Sequence, residues 1–231
     1  MDGTLLGMSF GTAIGTVLVS VVVAEMVGYG LHRLLHSGRF PRLSQAHMIH
    51  HLELYGPKQA MRGAKYRDAT EGRPALGNIG LEWVVPSAAI LVLIWGALYM
   101  LGAGLPYRVL AISILTGWPL LMFSYVHDRM HLENIWLERA PVVRIWYRKA
   151  RRLHDIHHRS LNDEGKMDRN FGIGLFWYDR LFGTLSKRHC PLNWNGYRAA
   201  LKRNSQQRME SRASRFPSEF RWDGEEENGE V

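Results

Sequence analysis

The sequence predicts an all-α fold, built as an integral-membrane helical bundle with a helical cap on the cytosolic side. Two observations predict it. Three long segments contain no charged residue, and ten of the eleven histidines fall in four tight groups just beyond the ends of these segments. The only cysteine, Cys190, excludes an intramolecular disulfide and any zinc or iron–sulfur site built on cysteine.

The uncharged segments cover residues 3–24, 83–107 and 109–126 and are 22, 25 and 18 residues long. A helix needs roughly 20 apolar residues to cross a bilayer core. We therefore predict membrane spans at about 4–27, 83–103 and 109–127. The turn residues at 102–106 predict a tight hairpin between the second and third spans. Because no Lys or Arg precedes the first apolar run, we do not expect a cleaved signal peptide.

Lys and Arg are distributed very unevenly about these spans. Of the 29 residues, 8 lie in 28–82 and 20 lie in 127–231, which leaves Arg108 alone for the opposite side. The positive-inside rule therefore predicts that both long segments face the cytosol. A multi-pass protein of a bacterial cytoplasmic membrane, or of the endoplasmic reticulum in a eukaryote, fits this distribution. Because the basic residues are scattered, no nucleic-acid partner is expected.

The rest of the chain predicts one domain and a tail. We expect a membrane-embedded domain over 1–200 and a polar, disordered tail over 201–231. The apolar stretch 135–147 is interrupted by Glu138, Arg139 and Arg144, and is therefore predicted to be an interfacial helix and not a fourth span. The chain has no Walker A motif and no glycine-rich dinucleotide motif, so nucleotide binding has no support.

The histidines follow one pattern, HxxxH and then HxxHH, used twice, at 32–51 and at 127–158. Residues three and four apart share a face of a helix, so the rings within each group are predicted to project together. Imidazole binds iron, zinc, copper and nickel. Two groups of five could hold two metal ions, or one site of ten could hold a bridged pair. The predicted ligands are His32, His36, His47, His50, His51, His127, His131, His154, His157 and His158, and only His189 lies outside the pattern.

A few polar residues near the histidines are candidates to support a metal site. Asp128 and Asp155 each follow a histidine, and either orient imidazole N–H groups or are solvated surface acids. Asn170 either forms a hydrogen bond near the site or serves a turn. Glu25 and Glu82 stand close to predicted span ends, where they could meet the ligands or lie at the interface. An all-nitrogen set of neutral ligands would leave a metal pair strongly electrophilic, which suits O₂ activation.

The four histidine groups, the tripeptide Asn170-Phe171-Gly172 and the segment 177–184 together resemble the fatty acid hydroxylase superfamily of integral-membrane di-iron oxygenases. Sterol desaturases, C4-methyl sterol oxidases and carotenoid hydroxylases belong to this superfamily, and the resemblance covers about residues 25–185. It implies two iron ions held by the ten histidines, and O₂-dependent hydroxylation or desaturation of a membrane lipid. The chain carries no cytochrome b5-like domain, so a separate ferredoxin or cytochrome b5-like protein with its reductase would supply electrons. Trp177, Tyr178, Leu181 and Phe182 are expected to be packing residues that close the cytosolic cap.

Two other classes of protein stay open at this point. The stretch His127-Asp128-x-x-His131 is one methylene away from the HExxH motif, which would suit an intramembrane metalloprotease, although eight histidines would then have no role. A histidine-rich membrane metal transporter is the second alternative. Transporters place their ligands near the bilayer midplane, whereas these histidines lie beyond the predicted spans.

Overall fold

The computed structural model describes residues 4–5, 8–56, 84–189 and 191–215. This part of the chain is mainly helical, as predicted, and begins with two very short antiparallel strands, β1 (Thr4–Leu5) and β2 (Met8–Ser9). Two π-helices cover His50–Leu54 and Leu120–Val126, and a 3₁₀ turn covers Trp136–Glu138. The α-helices are α1 (Phe10–Leu35), α2 (Pro41–Ile49), α3 (Val84–Met100), α4 (Leu105–Pro119), α5 (His127–Met130), α6 (Arg144–Arg159), α7 (Trp177–Leu181) and α8 (Trp194–Arg215).

Helix α1 carries the first histidines out of the apolar amino-terminal segment. The side chain of Ser9 accepts a hydrogen bond from the backbone N–H of Thr12, which satisfies one of the free donors at the helix start. The helix then continues to Leu35 and is capped by His36. It therefore begins later than the span predicted at 4–27 and extends further, because the residues after that span continue one uninterrupted helix.

Two helices among the described residues are long and apolar enough to cross a membrane, judged by length and composition. They are α1 and the continuous helix Leu105–Met130, which joins α4, the second π-helix and α5. Helix α1 packs mainly against the α4 part of this helix. Helix α3, in the region of the second predicted span, has only 17 residues, and residue 83 lies outside the described part. The hairpin between α3 and α4 turns at Gly102, whose φ of +75° suits a residue without a side chain.

A buried apolar cluster holds α6, which carries the last three of the ten histidines, against the second π-helix. Tyr147 and Ala150 on α6 pack against Met122 and Val126 of the second π-helix and against Ile173. The hydroxyl of Tyr147 also donates to the backbone carbonyl of Arg129 at 2.7 Å. Because the opposite face of α6 is rich in Arg and Lys, this helix has a strongly amphipathic pattern, with its histidines on the buried side.

Two local predictions are corrected. The segment 135–147 is not one interfacial helix: it forms a 3₁₀ turn at Trp136–Glu138, and α6 begins only at Arg144. Pro141 explains the break, because proline disfavours helical geometry in the residue before it. The disorder predicted for 201–231 is also wrong over 201–215, where α8 continues to Arg215, and residues 216–231 lie outside the described part.

Helix α8 is ordered because its first turns have a partner. Tyr197 and Ala200 pack with Leu52, Leu161 and Met167 in a second buried cluster. The low apolar content of the segment beyond Lys202 suggested a tail. It is rich in strong helix formers, so anchoring the start of the helix is enough to extend it.

Candidate metal centre

The structure collects the ten histidines into two buried groups of five, each drawn from both halves of the sequence. Every one of the ten side chains is at most 5% exposed. Within each group the potential ligand atoms all lie within 4.8 Å of one another, and neither group includes a carboxylate or cysteine of the described residues. Group 1 contains His32, His36, His47, His51 and His157, and group 2 contains His50, His127, His131, His154 and His158.

The Nε2 atoms converge within each group. In group 1, the Nε2 atom of His36 lies 3.0 Å from that of His47 and 3.1 Å from that of His157. In group 2, the Nε2 atom of His154 lies 3.0 Å from that of His131 and 3.1 Å from that of His158. Two nitrogen ligands at right angles around a metal at about 2.1 Å would be separated by about 3 Å. The spacing of these atoms therefore fits ligation of one metal ion by each group.

Backbone carbonyls determine which nitrogen of three rings faces inward. The Nδ1–H of His32 donates to the carbonyl of Phe171 at 2.5 Å, that of His157 to Arg169 at 2.6 Å, and that of His158 to Tyr55 at 3.1 Å. Each Nε2 atom then keeps its lone pair. The Nε2 atom of His32 is buried and has no hydrogen-bond partner within the described part of the chain, as expected for an atom reserved for a metal.

The middle histidine of each HxxHH motif crosses to the other group. His47 and His51 belong to group 1, whereas His50 belongs to group 2. On α6, His154 and His158 belong to group 2, whereas His157 belongs to group 1. Around a helix, a residue three positions on lies about 60° to one side and a residue four positions on about 40° to the other. The first and third histidines therefore point toward one group, and the second points to the other side of the helix axis, toward the other group. The expectation that all three rings serve one face together is corrected accordingly.

Both π-helices lie next to histidines. The first begins at His50, and the second ends immediately before His127. Pro119 lies where α4 passes into the second π-helix, and the missing N–H of proline removes one α-helical hydrogen bond there. The wider turn that follows changes the direction in which the next side chains project, and such turns are frequent at functional sites.

Six histidines of the two groups that lie outside the two long apolar helices are kept neutral by their surroundings. Burial lowers the pKa of His36, His47 and His51 well below the ordinary value of 6.5, and neighbouring rings lower it further. Burial acts in the same way on the pKa of His154, His157 and His158. Neutral imidazole is the form that binds metal, so protons compete little for these nitrogens in the folded protein near pH 7.

These lowered pKa values predict that the metal-free protein loses stability in mild acid. Below about pH 6.5 the unfolded chain takes up protons on its histidines while the folded chain does not, so the free energy of unfolding falls as the pH falls. Chemical unfolding between about pH 7.5 and pH 5.5 measures the slope. His189→Ala, a change at an exposed histidine outside both groups, should keep the wild-type slope. A free energy of unfolding that stays constant over this range would contradict the prediction.

A buried loop positions the carbonyls that orient two ligands of group 1. Asn170 is fully buried with a φ of +54°, and its Nδ2 donates to the carbonyls of Leu153 and Ser186 at 2.9 and 2.8 Å. It therefore does not bond a ring itself, but it holds the backbone between Arg169 and Phe171. The carbonyls of these two neighbours accept from His157 and His32.

Asp179 is a supporting residue that the sequence analysis did not single out. Its side chain is fully buried, and its carboxylate accepts from the backbone N–H groups of Phe171 and Gly172 and from the Thr184 hydroxyl, all at 2.7 Å. Burial raises the pKa of this carboxyl above its ordinary value, and the same hydrogen bonds offset only part of the rise. A Cβ atom at Gly172 would lie 2.7 Å from Asp179 Oδ2, so glycine is required for this approach. The signal in the sequence was the place of this acid within the aromatic segment 177–184, which the sequence analysis used for the resemblance.

The other predicted residues take varied positions. Asp128 and Asp155 are half-buried on α5 and α6, and a role for them in orienting rings stays a prediction. Glu25 is buried within α1, which continues to Leu35, and the indole N–H of Trp118 donates to it at 2.7 Å. Glu82 lies outside the described residues.

The four aromatic and apolar residues of the predicted cap divide into two kinds. Tyr178 and Phe182 contact Tyr29 of α1, and the Tyr178 hydroxyl donates to the carbonyl of Val22 at 3.0 Å. Phe182 keeps this contact although it is 55% exposed, whereas Trp177 and Leu181 are 54% and 70% exposed and make no such ring contact with Tyr29 among the described residues. The expectation that all four pack to close the cap is therefore wrong for these two, because α7 lies against α1 with one side uncovered.

The two groups are in direct contact, since the rings of His51 and His158 have centroids 4.0 Å apart. The fold and the groups together define a class: a helical protein with a paired histidine centre that can hold metal ions, and with two helices long and apolar enough to cross a membrane. No family model, no curated protein and no solved structure matches the chain.

Proposed function

We propose that this chain is a membrane-bound non-haem di-iron oxygenase that hydroxylates or desaturates a lipid with electrons from a separate protein. The observation that carries the proposal is the pair of adjacent, carboxylate-free groups of five histidines. A structural zinc ion needs four ligands and usually sulfur, so two groups of five nitrogens do not fit that role, and imidazole is a ligand that iron accepts. When bound, an iron pair would supply O₂ activation for attack on an unreactive C–H bond.

An apolar cavity beside the histidines supports a lipid as the substrate. The cavity has a volume of about 380 Å³ and lies between α1, α3 and the helix 105–130. His32 and His47 of group 1 and His127 of group 2 form part of its wall. The described residues that line the cavity include no Asp, Glu, Lys or Arg. The cavity therefore favours uncharged hydrocarbon.

The exposed surface of the long helices supports a location in a membrane. In the most apolar 18-residue windows of α1 and of the helix 105–130, only 17% and 22% of residues are buried in the protein. Leu18 and Val19 on α1 are each more than 60% exposed, and so are Val92 and Leu93 on the shorter apolar helix α3. Apolar patches of this extent need a covering, which a lipid bilayer would provide.

The outer face of α6 supports an acidic electron donor. Three histidines of the two groups lie on the buried side of this helix. Arg144, Arg148, Lys149 and Arg152 lie exposed on the opposite side. A helix is about 10 Å across, so a negatively charged redox protein docked here would sit within short reach of the ligands.

The test is reconstitution of the purified protein in lipid with ferredoxin, ferredoxin reductase and NAD(P)H. We expect products of mass +16 or −2 relative to a membrane lipid, with the added oxygen derived from ¹⁸O₂ when hydroxylation occurs. Turnover should fall as the ionic strength rises, because salt screens the attraction between partners. Product formed equally well under argon would refute an oxygenase. One zinc ion per chain with peptide cleavage would favour the metalloprotease, and metal flux across vesicles the transporter.

The charge distribution predicts that both histidine-bearing segments lie in the cytosol. Reporter fusions after residue 60 and at the carboxyl terminus should both report the cytosol, and a fusion at Gly104 should report the opposite side. The fusion at Gly104 lies in the turn between α3 and α4, close to the lone Arg108. Because group 1 and group 2 each take ligands from both segments, a carboxyl terminus on the outer side would be incompatible with this arrangement.

A further inference from the structure

The cavity has one aromatic residue placed directly before the histidine centre. Phe123 belongs to the second π-helix and lines the cavity, and it lies four residues before His127. Gly28 on α1 lines the same cavity and lies four residues before His32. Residues four apart stack on one helix face. Phe123 and Gly28 therefore stand about one helical turn further into the apolar region than His127 and His32, respectively.

The Phe123 ring rests on the backbone of α1 at Gly28. A Cβ atom built at Gly28 would overlap this ring, so only glycine lets the ring approach α1 so closely. On its other side Phe123 packs against the buried cluster around Met122 and Val126. The ring is thereby held across the space between α1 and the second π-helix, and the backbone of Phe123 is hydrogen-bonded to His127.

The remaining wall offers little else to fix a hydrocarbon. Ser87 and Thr116 are the hydroxyl-bearing residues among the described lining residues, and most of the others are aliphatic. Aliphatic walls bind a chain but do not define how far it slides along its own axis. A rigid ring beside the ligands is the feature that can stop it at one position.

We propose that Phe123, seated on Gly28, is the specificity-determining residue that selects which carbon of an uncharged hydrocarbon chain lies against the histidine centre. The inference rests on the proposed function for the reaction at that carbon, whereas the binding of the chain is independent of metal, O₂ and electron donor. Removing the ring lets the chain advance toward the histidines. Adding a methyl group at Gly28 pushes the ring into the cavity and holds the chain back.

The experiment is photo-cross-linking of metal-free protein in lipid nanodiscs with hexadecanols that carry a diazirine at successive carbons. Peptide mass spectrometry identifies which carbon labels the segments that contain His32 and His127. In wild-type protein we expect a narrow range of labelling carbons. Phe123→Ala should shift that range along the chain, and Gly28→Ala should shift it the opposite way or reduce the yield severalfold. Leu121→Ala, on the same π-helix but outside the cavity, is the matched control and should change nothing.

The outcomes separate this inference from the proposed function. A wild-type pattern retained in Phe123→Ala, a shift of the same size in Leu121→Ala, or no cross-link in the cavity would overturn it. Phe123→Leu is the second variant, used if the alanine variant does not fold. If the reconstituted enzyme is active, the oxidised carbon should move with the cross-linked carbon. A shifted cross-link in a protein that oxidises no lipid would refute the oxygenase and leave the positioning by Phe123 intact.

Discussion

Loss of His157 should empty group 1, and loss of His50 should empty group 2, even though each residue lies in the half of the sequence that supplies the other group. If the centre holds two iron ions as proposed, His157→Ala and His50→Ala should each lower the iron content to about one per chain. Lipid oxidation should fall by at least about 100-fold, because removal of a ligand costs at least as much as removal of a residue that supports one. Elemental analysis and turnover of the purified variants measure both effects.

Double variants distinguish the two ways of assigning ligands to groups. His36→Ala with His157→Ala changes two ligands of one group, so the other group should keep its metal ion. His154→Ala with His157→Ala changes one ligand in each group, although both residues lie in one sequence motif, and should reduce both metal ions. Helical content by circular dichroism serves as the control for folding. The reverse result would mean that ligands are grouped by sequence half.

Asp179→Ala should weaken metal binding by group 1 more than by group 2. The substitution leaves three donors without their acceptor: two backbone N–H groups and the Thr184 hydroxyl. We expect a loss of about 2–4 kcal/mol in the free energy of unfolding, since hydrogen bonds to a charged group contribute about 1.5–3 kcal/mol each and relaxation recovers part of the total. The carbonyl of Phe171 would shift, and with it the ring of His32.

Competition with a chelator, followed by metal analysis, measures this difference. The affinity of group 1 for its metal ion should fall by about 10- to 100-fold, the usual effect of removing a residue that orients a ligand. Asp163→Ala is the matched control, because Asp163 is an exposed acid outside both groups, and its carboxylate accepts a hydrogen bond from the side chain of Asn193. Equal weakening of both metal ions would argue that Asp179 supports the fold as a whole and has no selective effect on group 1.

The sequence predicted the helical class and the identity of the histidines because both depend on local regularities. Long uncharged runs can form only a few structures, and histidines three and four apart share a helix face in any helical context. His32 and His36 accordingly end in one group, as do His127 and His131. Two buried groups of five were among the arrangements that the sequence left open. The identity of the metal and the reaction are not determined by these patterns and stay proposals.

Some local predictions failed because a distant contact or a single residue overrode the average composition. Residues 201–215 were predicted to belong to a polar tail, but they continue α8. Tyr197 and Ala200 anchor this helix against residues far away in the sequence. The stretch 135–147 read as one helix by its apolar content, but Pro141 divides it. The partner of Glu25 was not predicted either: it is Trp118, which lies 93 residues further along the chain.

The sequence by itself determined which residues form the centre, and only the tertiary structure decided how they are divided and held. The exchange of His50 and His157 depends on how the first π-helix and α6 face each other, since consecutive residues of a helix point in different directions around its axis. The orientation of His32 and His157 depends on carbonyls of a loop fixed by Asn170 and Asp179. Spacing along a helix is a local property that sequence encodes directly, whereas the contact of a ring with a remote carbonyl exists only once the helices have packed.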